Sequence, residues 1–237
     1  MISDRIDKLI FINEGVISDY FIVDQNWQIL APLLKDENIY SRWDHSYGVD
    51  GVNVIRIALY TRIISELHSI LFDNDKKSGS IKNVIVGLQD KGVIKELRKR
   101  FCSPSGVNVV GEYSESETQR IIENIQLEDI KRKEEAFDRI LPEVITSYEN
   151  LETSELAVRI KTARDKIYAH KEIRTIDGER KYYDASDLGL QYDDAEQLIG
   201  EAKKLIFNAN ILLTNSSYSL DSFLNHHKKV ANEYWAR

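Results

Sequence analysis

The segment Arg164-Asp165-Lys166-Ile167-Tyr168-Ala169-His170 gathers a fixed cation, a carboxylate, a flexible cation, a phenol and an imidazole in one short run. Histidine changes charge near neutral pH, so it can give or take a proton. Arginine presents a planar fork of donors that matches phosphate oxygens. Together such groups could move a proton and stabilise developing negative charge. The remaining candidates are weaker. His226 and His227 are consecutive, so they cannot chelate together as residues three or four apart can, and they read as surface residues. His45, beside Trp43 and Asp44, reads as a capping or packing residue, and His68 as a buried or boundary residue next to the Leu67 and Leu71 face. Cys102 follows Arg98, Lys99 and Arg100, which could depress its thiol pKa, but no matching base accompanies it. The stretches GVDG and SGS lack the strand, spacing and lysine of a phosphate-binding loop.

The run sits on a helix expected over Thr153 to Glu172, where Leu156, Ile160, Ala163, Ile167 and His170 repeat at steps of four and three. That pattern puts His170 on the apolar face, directed toward a core or a partner. Arg164 lies six residues earlier, about 9 Å along an ideal helix and about 120° around it, so the two are not natural neighbours. Either Arg164 spans the gap, or two copies of the helix meet across a dyad and build a composite site. Asp165 could equally pair with an adjacent cation on the surface, and Tyr168 could simply pack.

The elements around this helix are helical by pattern. Ile6, Leu9, Ile10, Ile17, Phe21, Trp27, Leu30 and Leu33 suggest one broken helix or two over Ser3 to Leu34. Val52, Ile55, Leu59, Ile63, Leu67, Ile70 and Leu71 trace a long helix, which DNDKKSGS ends. Ser80 is an expected N-cap for the next helix, and a short helix follows over Asp90 to Phe101. Cys102 to Glu115 reads as a long loop. Ile121 through Tyr148 gives a long helix that Pro142 should bend. Ile173 to Gln191 reads as a turn around Asp177-Gly178, with a small hairpin. The widest apolar stripe runs from Ala195 to Leu213, and Leu220 to Trp235 reads as a last helix.

Composition agrees with an all-α chain. Only 11 Gly and 3 Pro are present, too few for the many tight turns of a β fold, and 42% hydrophobic residues suffice for a packed core. A single domain over 1-237 is expected, with N-terminal helices over about 1-101 and a motif-bearing bundle over about 115-237. One cysteine and the absence of a zinc-like spacing point to a reducing cytoplasm with no metal or cofactor. The N-terminus lacks a cleavage site, and no apolar run reaches membrane-spanning length, so neither secretion nor membrane insertion is expected.

The net charge is −7, which repels polyanions at long range. From Ala157 to Arg174, however, Arg159, Lys161, Arg164, Lys166, Lys171 and Arg174 face only Asp165 and Glu172, a local charge of +4. Such a patch could hold a phosphate backbone, although a solvated helix face is its ordinary explanation.

The run RDKIYAH, followed by Lys171 and Glu172, resembles the HEPN superfamily motif, an Arg followed by a polar residue and a His after four to six intervening positions. The downstream Leu188-Gly189-Leu190 with the helix from Asp193, and the upstream ILFDNDKKSGSI, are further similar to the abortive-infection AbiU-type branch, so the resemblance covers most of the chain. It implies a HEPN-like helical bundle with additional N-terminal helices and minimal strand content. It also implies a homodimer whose two motifs share a cleft and cleave RNA without a metal, in a bacterial antiviral defence or toxin-antitoxin context. Arg164 would clamp phosphate and His170 would act as general base or acid. Asp165 would orient a neighbour, and Lys161, Lys166, Tyr168 and Lys171 would contact RNA. The expected partners are RNA, a second copy of the chain, and an antitoxin or regulatory protein. The alternative within the same resemblance is an inactive RNA-binding or protein-interaction module.

Overall fold

The computed structural model describes residues 2–106, 114–176, 178–183 and 185–236. The chain opens with α1 (Ile2–Lys35), one continuous helix where the sequence allowed two, and Pro32 falls within its last turn. A short α2 (Glu37–Ser41) leads to α3 (Gly48–Phe72). Ser80 caps α4 (Ile81–Leu88) as expected, its side chain accepting from the Asn83 amide, and Asp90 caps α5 (Lys91–Phe101) by accepting from Gly92 and Val93. Part of the expected loop after α5 lies outside the described residues.

The longest helix, α6 (Glu115–Thr153), starts at a capping box between Ser114 and Glu117 and continues through Pro142. Ser154 ends it and starts α7 (Glu155–Ala163), whose Ala157 amide donates to the Ser154 hydroxyl. After α7 the backbone widens into a π-helical turn over Arg164–Ala169, then forms a hairpin of β1 (Ile173–Ile176) and β2 (Glu179–Tyr182). The strands pair antiparallel, with Ile173 opposite Tyr182. Gly178 takes φ +84°, the left-handed conformation the expected turn requires, while its neighbour Asp177 lies outside the described residues. A 3₁₀ turn over Ala185–Leu188 precedes α8 (Tyr192–Thr214) and α9 (Leu220–Trp235).

Among the described residues the fold is all-α apart from this hairpin. One contiguous apolar core draws residues from α1, α3, α4, α5, α6, α7 and α8, with α1 packed against α3, α8 and α9. The stripe of α8 supplies Ala195, Leu198, Ala202, Leu205, Ile206, Ala209 and Leu212, each almost wholly buried. On its far side α9 is pinned to α1: the Trp235 indole N–H donates to the Ile29 carbonyl at 2.8 Å, and His227 Nδ1 lies 2.7 Å from the buried carboxylate of Asp24. His227 is therefore an inter-helix contact, not the surface residue its position beside His226 suggested. Among the described residues, no helix is long and apolar enough to cross a membrane.

Candidate functional site

Helix α7 is held by its apolar face and by one ion pair. Leu156, Ala157, Ile160 and Ala163 are buried, and Arg159 Nη2 bonds Asp194 Oδ1 at 2.6 Å at the start of α8. Asp194 is 6% exposed and also accepts from the Gln191 amide at 2.8 Å, so it closes a capping box and anchors α7 at once. The helix that carries the motif is thus fixed against the core immediately before the chemistry-bearing residues begin.

At Arg164 the α-helix ends, nine residues short of the expected limit at Glu172, and a π-helical turn takes over. A π-turn closes i→i+5 bonds, which adds a residue to the turn, and one added residue shifts everything downstream by about 100°. The apolar stripe therefore continues only as far as the half-buried Ile167, and His170 leaves the turn exposed, at φ −125° and ψ −13°. This corrects the expectation that His170 lies on the apolar face. Lys171 follows at φ +46°, so the backbone reverses sharply there. The turn is tied to the hairpin, with the Glu172 amide donating to the Lys166 carbonyl at 2.8 Å and the Tyr183 amide to the Glu172 carbonyl at 3.2 Å.

The cations of the segment have unequal roles. Arg159 is committed to Asp194, and Arg174 pairs with Asp187 while its guanidinium lies over the Tyr183 ring at 5.1 Å. Two of the six charges behind the local +4 are therefore matched by carboxylates from outside the segment. Lys166 rests over the same Tyr183 ring at 4.4 Å and donates to its hydroxyl at 3.2 Å, a contact that raises the ammonium pKa. Lys161 lies over the Phe72 ring at 4.6 Å and donates to the Glu152 carbonyl at 3.1 Å, and burial lowers its pKa. Arg164 bonds Asp165 at 2.8 Å across an exposed ion pair. Tyr168 is half-buried, facing a cavity of about 580 Å³ shared with Tyr60, Leu190 and Tyr192.

Arg164, Asp165 and Lys161 thus share one neighbourhood, and His68 of α3 joins them. Its imidazole meets the Phe72 ring edge-on at 6.1 Å, on the ring that carries Lys161, and lies within electrostatic reach of Arg164, Asp165, Lys161 and Asp73. Burial first, then the Arg164 charge, holds its pKa below the ordinary value, against the opposing pull of Asp165 and Asp73. The sequence marked His68 only as a buried or boundary residue beside the Leu67 and Leu71 face, and nothing local connects it to a motif almost a hundred positions away. Among the described residues, no hydrogen bond joins Arg164 to His170 within the chain, and no group of three or more His, Cys, Asp or Glu side chains could hold a metal ion. Cys102 departs from its expected behaviour: burial outweighs Arg98 and pushes the thiol pKa up.

A family model described as AbiU2, of the HEPN group, matches residues 18–234. No curated protein and no solved structure gives a significant match.

Proposed function

The chain belongs to the AbiU2 family of HEPN proteins, and from that premise we propose that it is a metal-independent endoribonuclease of a bacterial defence or toxin-antitoxin system. The observation that carries this reading is the intact Arg164 to His170 motif, on and just after a π-turn with no fully buried residue, inside a match that spans nearly the whole chain. π-turns within helices recur at functional sites, because the extra residue projects side chains that a regular helix would stack. Among the described residues Arg164 has one surface ion pair, to the adjacent Asp165, so its fork is available to a phosphate at small cost.

In the proposed reaction Arg164 holds the phosphate oxygens and stabilises the phosphorane, and His170 moves a proton. Asp165 keeps the guanidinium oriented until substrate binds. Lys161, Lys166, Lys171 and Tyr168 contact the strand, with Lys166 and Tyr168 placed on the turn itself. Attack by the 2′-hydroxyl leaves a 2′,3′-cyclic phosphate and a 5′-hydroxyl. The outward position of His170 favours a homodimer in which each chain's histidine faces the other chain's arginine, the composite arrangement that the six-residue spacing suggested. An antitoxin or regulatory protein fits such a system as the partner that covers the cleft.

The test uses purified wild type, Arg164→Ala and His170→Ala with total RNA and a tRNA pool in EDTA, followed by mapping of the cut ends. Cleavage by wild type alone, with cyclic phosphate ends, is expected. Ends bearing 5′-phosphate would contradict attack by the 2′-hydroxyl, and intact RNA in every lane would move the reading to the non-catalytic binding module. Light scattering at micromolar concentration tests the dimer, and a strict monomer removes the shared cleft.

A further inference from the structure

His68 sits on α3, which packs against both α7 and the π-turn. Its imidazole is half-buried, and it is linked to the motif helix through Phe72, whose ring meets the imidazole on one side and the Lys161 ammonium on another. Lys161 precedes Arg164 by three residues, one helical turn, so the ammonium and the guanidinium leave α7 on one side, and both charges act on the imidazole. We propose that His68 is a further catalytic residue of this site, the base that accepts the proton of the attacking 2′-hydroxyl while Arg164 holds the phosphate. The inference rests on the ribonuclease reading above and divides the two proton transfers between His68 and His170.

The step balances as follows. The O2′–H bond breaks and its proton passes to an imidazole nitrogen of His68 as the O2′–P bond forms. The P–O5′ bond then breaks, and the departing 5′-oxygen takes a proton from His170 of the partner subunit, the one that faces this chain's Arg164 in the proposed dimer. His68 afterwards returns its proton to solvent, and the partner's His170 regains one from solvent. A base must be deprotonated before attack, and His68 meets that condition because of everything that faces it. Arg164 from the π-turn and Lys161 from α7 disfavour a second cation, while Asp165 and Asp73 favour one, and burial tips the balance to the neutral ring. The Lys82–Glu152 pair behind Lys161, at 2.5 Å, keeps Glu152 matched by a cation of its own. His170 is fully outside this environment, exposed beyond the end of the turn.

The experiment is a single-turnover pH–rate profile in EDTA on a tRNA pool, for wild type, His68→Gln, and His68→Ala with and without added imidazole, with a thermal melt of each protein. The wild-type rate should follow a bell, rising on an acidic limb with a midpoint below 6.5, the ordinary value for the ring, and falling at higher pH as the protonated general acid is depleted. His68→Gln should melt like wild type, lose about 10²- to 10⁴-fold in rate, and lose the acidic limb. Imidazole should restore part of the His68→Ala rate. His68→Gln cleaving within threefold of wild type with the same acidic limb would overturn the assignment, as would a lowered melting point with no rescue by imidazole, which marks a packing role. A wild type that leaves the RNA intact refutes the ribonuclease reading itself and this assignment with it, whereas an active wild type with an unaffected His68→Gln refutes His68 alone.

Discussion

Replacing Arg164 by alanine separates chemistry from folding, because the structure assigns the two very different magnitudes. Among the described residues Arg164 makes one ion pair, to the adjacent Asp165, and the two side chains are 42% and 55% exposed. An exposed pair of this kind contributes at most about 1 kcal/mol. For a chain of this size, about 1 kcal/mol corresponds to a shift of about 2–4 °C in melting temperature. The π-turn itself is held by backbone bonds and by the contacts of Ile167 and Lys166, which the substitution leaves in place. In the transition state, by contrast, the guanidinium faces a phosphorane that has gained negative charge. Loss of one such preorganised donor costs about 2.7–4 kcal/mol, or 10²- to 10³-fold in rate. Differential scanning fluorimetry and single-turnover cleavage of a tRNA pool on the same preparation measure both quantities. A variant that melts within about 4 °C of wild type and cleaves at least 100-fold more slowly agrees with this account. A variant that cleaves within threefold of wild type refutes the clamp, and one that loses its cooperative melt shows that Arg164 supports the turn instead. Arg164→Lys should fall between, since a point charge replaces the two-pronged fork.

Other consequences are equally concrete. Arg159→Ala leaves the buried Asp194, among the described residues, with the Gln191 backbone amide as its side-chain donor, so urea unfolding should show a loss of about 1–3 kcal/mol, and an unchanged midpoint would deny the pair its anchoring role. Stability should also depend on pH through His68. Its folded pKa lies below the unfolded value near 6.5, so the unfolded chain binds the extra proton first. Stability is full above about pH 6.5 and declines as pH falls toward the folded value; urea midpoints at pH 7.5 and 5.5 should differ less in His68→Gln than in wild type. Gly87→Ala would place a methyl 2.5 Å from Leu9 Cδ2 at the α1–α4 contact, and overpacking there should cost about 1–3 kcal/mol by the same assay.

The helical class, the position of nearly every helix, the Ser80 cap, the hairpin and the motif were legible in the sequence, because each depends on local properties. Apolar spacing near 3.6, scarce Gly and Pro, turn residues between stripes and a short run of distinctive side chains survive without knowledge of distant contacts. The family match over residues 18–234 agrees with what that run suggested.

Tertiary packing decided the site. The stripe Leu156, Ile160, Ala163, Ile167 predicts His170 on the same face only if the helix stays α, and it does not. Between the anchor at Asp194 and the hairpin bonds to Lys166 and Glu172, the backbone widens by one residue and rotates His170 outward. The same long-range pairing withdrew Arg159 and Arg174 from the basic patch and carried His227 to Asp24. It also brought His68 beside the motif, from a helix whose own pattern says only that one face is apolar. A sequence records which side chains are available and how each segment prefers to coil. Which imidazole faces the arginine is settled by helix–helix packing, whose partners lie far apart along the chain and leave no local signature.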